Sequence, residues 1–205
     1  MRRGIALAAL LVVIAGCGME PGKPILAPGS MTPTSSAAEP QLPTAGAPKV
    51  ESPLDTGRFE LAPCDSLTEE QLAGLFGATP TGEVKNAAGP TCTWRRDGVN
   101  PHVTVTFLKT TELGISNFYL GKDKGGLFRV LSPAGGYPAV AWGVTAAGVD
   151  GDWEHGRCHV AVGVTDRQVV DIVVGQSDDK IGKKDPCEDA HGIAEMVIGN
   201  IKGAQ

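Results

Sequence analysis

The stretch RCHVAVGVTDRQVVDIVV, residues 157–174, decides the fold. Cys158, Val160, Val162 and Val164 alternate with His159, Ala161 and Gly163, a period of two that puts one apolar set on one face of a strand. Thr165-Asp166-Arg167-Gln168 is a turn, and Val169 to Val174 returns. Strands joined by so short a connection pair antiparallel. Upstream, Cys92-Thr93-Trp94-Arg95 reads as a strand, Asp97-Gly98 as a turn, and residues 102–107 alternate at period two, which gives another hairpin. Residues 127–131 and 137–142 read as strands joined by a turn over 133–136.

Helical periods frame these strands. Ser66-Leu67-Thr68-Glu69 reads as a capping box with Ser66 as N-cap; Leu72, Leu75 and Phe76 follow at helical spacing, and Gly77 is a natural stop. Residues 112–122 form a weaker helical pattern interrupted by Gly114, with Leu113, Phe118 and Leu120 as its apolar contacts. Ala190, Ile193, Ala194, Val197, Ile198 and Ile201 recur at three and four residues, the stripe of an amphipathic helix. The expected class is α+β: an antiparallel sheet with N-terminal, middle and C-terminal helices packed on it.

Composition divides the 205 residues into three parts. Arg2 and Arg3 precede an almost wholly apolar run from Gly4 to Ala15, the pattern of a signal peptide and too short to span a bilayer, which takes about 20 residues. The run ends in Ile14-Ala15-Gly16-Cys17, which resembles the bacterial lipobox. On that reading residues 1–16 are removed and the Cys17 thiol carries a diacylglyceryl group, with acyl chains such as palmitate. Each buried methylene contributes about 0.8 kcal/mol, so two or more chains hold a protein to a bilayer. Residues 17–55 carry eight of the 15 prolines and no aromatic residue, the composition of a disordered tether. All ten aromatics lie from Phe59 onward, which sets the expected globular domain at residues 56–205.

Charge and cysteines bound the setting. The chain has 18 Lys+Arg and 23 Asp+Glu, net −5, and loss of Arg2 and Arg3 with the leader makes it −7. An acidic surface repels phosphate backbones, so nucleic acid is not an expected partner. Cys17 is assigned to the anchor; Cys64, Cys92, Cys158 and Cys187 remain. Four cysteines allow three pairings. Cys64 with Cys92 and Cys158 with Cys187 is the favoured one, because each bridge then ties a helix start to a strand start. Loops of that size contribute about 3.6 kcal/mol apiece in the simple entropy treatment. Oxidised cysteines fit an extracytoplasmic compartment, and without a Cys-x-x-Cys the spacing does not suit zinc.

Candidate chemistry is sparse. His155 and His159, beside Cys158, lie about 13 Å apart if the segment is a strand, too far to share an ion; they read as a turn histidine and a strand-edge histidine. Asp178, Asp179, Asp185, Glu188 and Asp189 lack calcium-loop spacing, and the last two suit the first turn of a helix. Ser116, Ser132 and Ser177 lack the setting of a nucleophile elbow. Gly125-Gly126 and Gly135-Gly136 read as turns, not phosphate loops. No catalytic residue, metal site or cofactor is assigned. Trp94 and Trp142 read as core; Trp153, between Asp152 and Glu154, reads as exposed and is the candidate ligand surface.

Several segments together carry a resemblance. Pro63-Cys64-Asp65-Ser66-Leu67-Thr68, Cys92-Thr93-Trp94, Gly136-Tyr137-Pro138-Ala139-Val140, Cys158 before its alternating strand, and Asp185-Pro186-Cys187 resemble an actinobacterial lipoprotein family of unknown function with the pattern P-C-D-L-L-T, C-x-W, G-x-P-A and D-P-C. The resemblance runs from about residue 60 to the end and includes the lipobox; Ser66 stands where Leu is commoner. It implies an envelope location and two disulfides, and no established activity. The general plan is also similar to two-disulfide extracytoplasmic sensor domains of mycobacterial receptor kinases, at the level of fold only. The expectation is a lipid-anchored, non-enzymatic binding or sensor-like module that meets an envelope protein or small ligand. A cell-wall enzyme and a lipid or small-molecule carrier are the alternatives.

Overall fold

Seven strands, β1 (Gly82–Lys85), β2 (Thr91–Arg95), β3 (His102–Leu108), β4 (Leu127–Val130), β5 (Ala139–Gly143), β6 (Arg157–Gly163) and β7 (Val169–Gly175), form one sheet in the order β1-β2-β3-β7-β6-β5-β4. Every pairing is antiparallel. This computed structural model describes residues 41–96, 101–143 and 152–205. The leader 1–16, Cys17, the tether as far as residue 40 and the Asp97-Gly98 turn lie outside the described residues. Among the described residues four α-helices accompany the sheet: α1 (Gly57–Leu61), α2 (Glu69–Phe76), α3 (Ser116–Gly121) and α4 (Pro186–Gly203). The molecule is α+β, with two meanders joined where β3 pairs with β7.

Register sorts the two faces. The row Cys92, Val105, Ile172, Val160, Ala141 crosses five strands, and all five residues are buried. Over it lies α4, whose Ala190, Ile193, Ala194, Val197, Ile198 and Ile201 are each at most 3% exposed. The helical stripe and the period-two strands thus close on one another, as burial of apolar surface requires. The disulfides pin this layer. Cys64, in the 3-10 turn Pro63–Ser66, bonds Cys92 of β2, and Cys158 of β6 bonds Cys187 in the first turn of α4, with Cα separations of 5.1 and 5.0 Å. The first bridge lies against Gly82, where a Cβ would stand 2.6 Å from the Cys64 sulfur; any larger residue there displaces the bridge.

Three local expectations are corrected. The N-cap of α2 is Thr68, not Ser66: its hydroxyl accepts from the Gln71 backbone N–H while the Gln71 side chain accepts from the Thr68 N–H. Ser66 is fully buried and donates to the Pro63 carbonyl instead. The middle helix is confined to Ser116–Gly121, and its core contacts are Ile115, Phe118 and Tyr119, with Leu120 exposed. The packed chain also begins upstream of residue 56. Ala47, Val50 and Leu54 are buried, the Thr44 N–H donates to Ser116 Oγ, the Val50 N–H to Asp166 Oδ1, and the Leu54 N–H to the Val164 carbonyl. Residues 41–55 are therefore a strap on the domain and not tether.

Among the described residues, the second face of the sheet is only part-covered. Val140, Ala161 and Val169 lie under Ala47, Ile115, Phe118 and Tyr119. Beyond them the same face turns polar, and the site lies there.

Candidate functional site

Two rows of the second face carry the polar groups. One runs Thr91, Thr106, Asp171, Ala161, Val140; the next runs Thr93, Thr104, Val173, His159, Trp142, Phe128. Side chains on such a face reach across neighbouring strands, and β5 and β6 each deliver one group to Asp171 of β7. The Trp142 Nε1–H donates to Asp171 Oδ1 at 2.8 Å, and His159 Nδ1 lies 3.1 Å from Asp171 Oδ2. Asp171 is 4% exposed, so both its oxygens need such partners. Thr93 pairs with Thr104 and Thr91 with Thr106 through their hydroxyls, at 3.0 and 3.2 Å. His159 is thus on a central strand, not at a strand edge.

Thr106, Asp171, His159 and Trp142 line a cleft of about 490 Å³, within the size range of small-molecule sites. Phe118 of α3, Phe128 of β4 and Trp142 of β5 supply aromatic lining, while Leu108, Leu127 and Val173 add aliphatic surface. The Trp142 ring is tilted against Phe118 and His159, with centroids 5.1 and 4.6 Å away. Behind this wall Tyr119 meets Phe128 edge-on at 5.1 Å, and burial pushes the Tyr119 hydroxyl above its ordinary pKa. Asn117 and Lys122 flank the opening from the β3–β4 connection.

A second polar cluster sits where β7 ends. The Gln176 amide donates to Asp189 Oδ2 at 2.9 Å, and Lys184 closes on the other oxygen. A depression of about 440 Å³ beside it is lined by Arg96, His102, Ser177, Asp179 and Lys180. Both oxygens of Asp189 are engaged from within the chain, so the cluster joins β7 to α4.

The other singled-out residues are dispersed. Trp153 is half-buried against Gly143 and lines a separate, open depression with Arg129 and Asp185. Asp185 caps α4 through the Cys187 N–H and pairs with Arg129 at 2.8 Å. Glu188 and Asp189 occupy the first turn of α4. His155 lies in the 3-10 turn Asp152–His155 and Cys158 is oxidised, so neither meets His159 at an ion. Among the described residues no three His, Cys, Asp or Glu side chains converge to hold a metal. Ser116 is buried and accepts from Thr44. Ser132 comes within 3.4 Å of His191 Nε2, but that nitrogen is 2.8 Å from the Ser132 carbonyl and is committed to the backbone.

Sequence reasoning passed over His159, Asp171 and Trp142 as a group. The signal was present: Asp171 interrupts the apolar run Val169-Val170-Asp171-Ile172-Val173-Val174, and a carboxylate in a central strand needs partners.

Fold and site define the class: a disulfide-stapled α+β protein with a histidine–carboxylate cleft on the open face of an antiparallel sheet. The chain belongs to the family described as Protein of unknown function (DUF3558), whose pattern matches residues 12–200. Searches of curated proteins and of solved structures found no match.

Proposed function

We propose that this protein is a lipid-anchored, extracytoplasmic binding module of the cell envelope that takes a small molecule in the His159–Asp171 cleft. The observation that carries the reading is a buried carboxylate held by Trp142 and His159 at the base of an aromatic-lined cleft. Such sites combine apolar walls with a few placed polar groups, which supply affinity and orientation respectively. The lipobox-like Ile14-Ala15-Gly16-Cys17 supports the anchor, and two disulfides accord with an oxidising compartment. The actinobacterial lipoprotein resemblance points the same way. The cleft is preferred to Trp153 as the ligand surface, because among the described residues no buried polar groups converge beside Trp153.

A second reading, an envelope hydrolase with His159 as general base, draws on the same pair. No hydroxyl or thiol among the described residues is hydrogen-bonded to His159 as a nucleophile would be, so binding is the better-supported function.

The test has two arms. Cys17→Ala is expected to move the protein from the membrane to the soluble fraction; retention in the membrane overturns the anchor. Mass spectrometry of small molecules carried by protein purified from native membranes is expected to find one enriched over a Trp142→Ala variant. Equal content in both overturns the cleft as the binding site.

A further inference from the structure

We infer that the cleft selects an uncharged ring compound bearing a hydroxyl or amine hydrogen, which it donates to His159 Nε2; the inference rests on the binding reading above.

As a carboxylate Asp171 only accepts hydrogen bonds, and the indole nitrogen of Trp142 only donates. Oδ1 takes the indole hydrogen at 2.8 Å. The contact at 3.1 Å between Oδ2 and His159 Nδ1 must then have its hydrogen on Nδ1. In a neutral imidazole that leaves Nε2 with a lone pair and no hydrogen. Asp171, its side chain 6% exposed, therefore sets the tautomer of a histidine whose own side chain is 21% exposed and lines the cleft. Among the described residues no hydrogen bond engages Nε2.

Three ligand classes are disfavoured by this arrangement. At His159 an anion meets a lone pair instead of a donor, with the Asp171 carboxylate behind it. A cation that would pair with the carboxylate finds both Asp171 oxygens already occupied. A wholly apolar ring packs against Phe118, Phe128 and Trp142 but strips water from Nε2 without replacing it, and an unpaired buried acceptor is costly. A ring with one donor satisfies both requirements: the body fills the aromatic and aliphatic surface, and the donor completes the line from ligand to His159 to Asp171.

Phenol, anisole and benzoate test this, since they share a ring and differ in the group they present. The full-length protein in detergent is titrated with each at about pH 8.5. Binding is read from the Trp142 indole N–H and His159 ring resonances by NMR. Phenol is expected to shift both signals and to bind at least about ten-fold more tightly than anisole or benzoate, the ratio expected from leaving one buried acceptor unpaired. His159→Phe, which keeps a ring in place, is expected to erase the preference for phenol over anisole. Equal affinity of the unaltered protein for phenol and anisole overturns the inference while leaving a binding cleft. A phenol preference that survives His159→Phe also overturns it. If none of the three moves either signal, the cleft is not a small-molecule site, and the binding reading falls with the inference.

Discussion

Asp189 shows how one side chain joins two elements and responds to pH. Burial by itself raises a carboxyl pKa, but here the hydrogen bonds from Lys184 and Gln176, with the charges of Lys184 and Lys180, outweigh it and hold Asp189 below its ordinary value. The hydrogen bond and charge of Asp189 in turn raise Lys184. The signs are opposite in pH. Asp189 contributes stability above the ordinary carboxylate range and loses it as pH falls through its depressed folded value; Lys184 contributes below the ordinary lysine range and loses it as pH rises through its raised folded value. Asp189→Asn is therefore expected to lower stability at neutral pH and flatten the acid limb of stability against pH. Because the lysine end is half exposed, solvent screening limits the loss to about 0.5–1 kcal/mol. Denaturant midpoints at a series of acidic pH values check this; an acid limb as steep as the parent's would contradict it. Sequence reading placed Asp189 in a helix first turn, where it lies. The clamp with Gln176 and Lys184 was not legible, because it depends on where β7 stops relative to α4.

At the scale of elements, period decides what can be read in advance. β6 and β7 alternate strongly, and α4 has a three–four stripe, because each faces a dry core along its length. β1 was not anticipated: it is a short edge strand of mostly exposed residues, Gly82-Glu83-Val84-Lys85, and its pairing with β2 comes from the sheet. The start of α2 illustrates competition between two candidate caps. Ser66 and Thr68 both precede acidic and polar residues, but the Cys64–Cys92 bridge and the 3-10 turn bury Ser66, so Thr68 takes the role. Thr68→Ala is expected to reduce stability by about 1 kcal/mol, measured as a lowered unfolding midpoint. An unchanged midpoint would show that the cap hydrogen bond has no net effect.

The strap over residues 41–55 matters at the scale of the whole molecule. It runs from Ser116, next to the cleft wall at Phe118, to Asp55, whose backbone meets the Gln205 side chain. Its proline content reads as tether, and two well-placed apolar side chains reverse that: Val50 and Leu54 are each 4% exposed. Burying such a side chain fully is worth about 1.5–3 kcal/mol. A chain beginning at residue 56 is accordingly expected to be less stable than one beginning at 41 by about 3 kcal/mol or more, by denaturant unfolding. Equal stabilities would show that the strap is only laid on the surface.

What the sequence determined alone was the local and the repetitive: strand alternation, the last helix and the class of fold; of the three cysteine pairings it left open, the favoured one agrees with the structure. These follow from side-chain periods that any partner surface would have to match. Tertiary structure alone decided which sheet face is left part-covered and which residues share it. His159, Asp171 and Trp142 come from three strands, and they meet because antiparallel register sets them on adjacent rows. Register is a relation between distant segments, and no period within one of them encodes it.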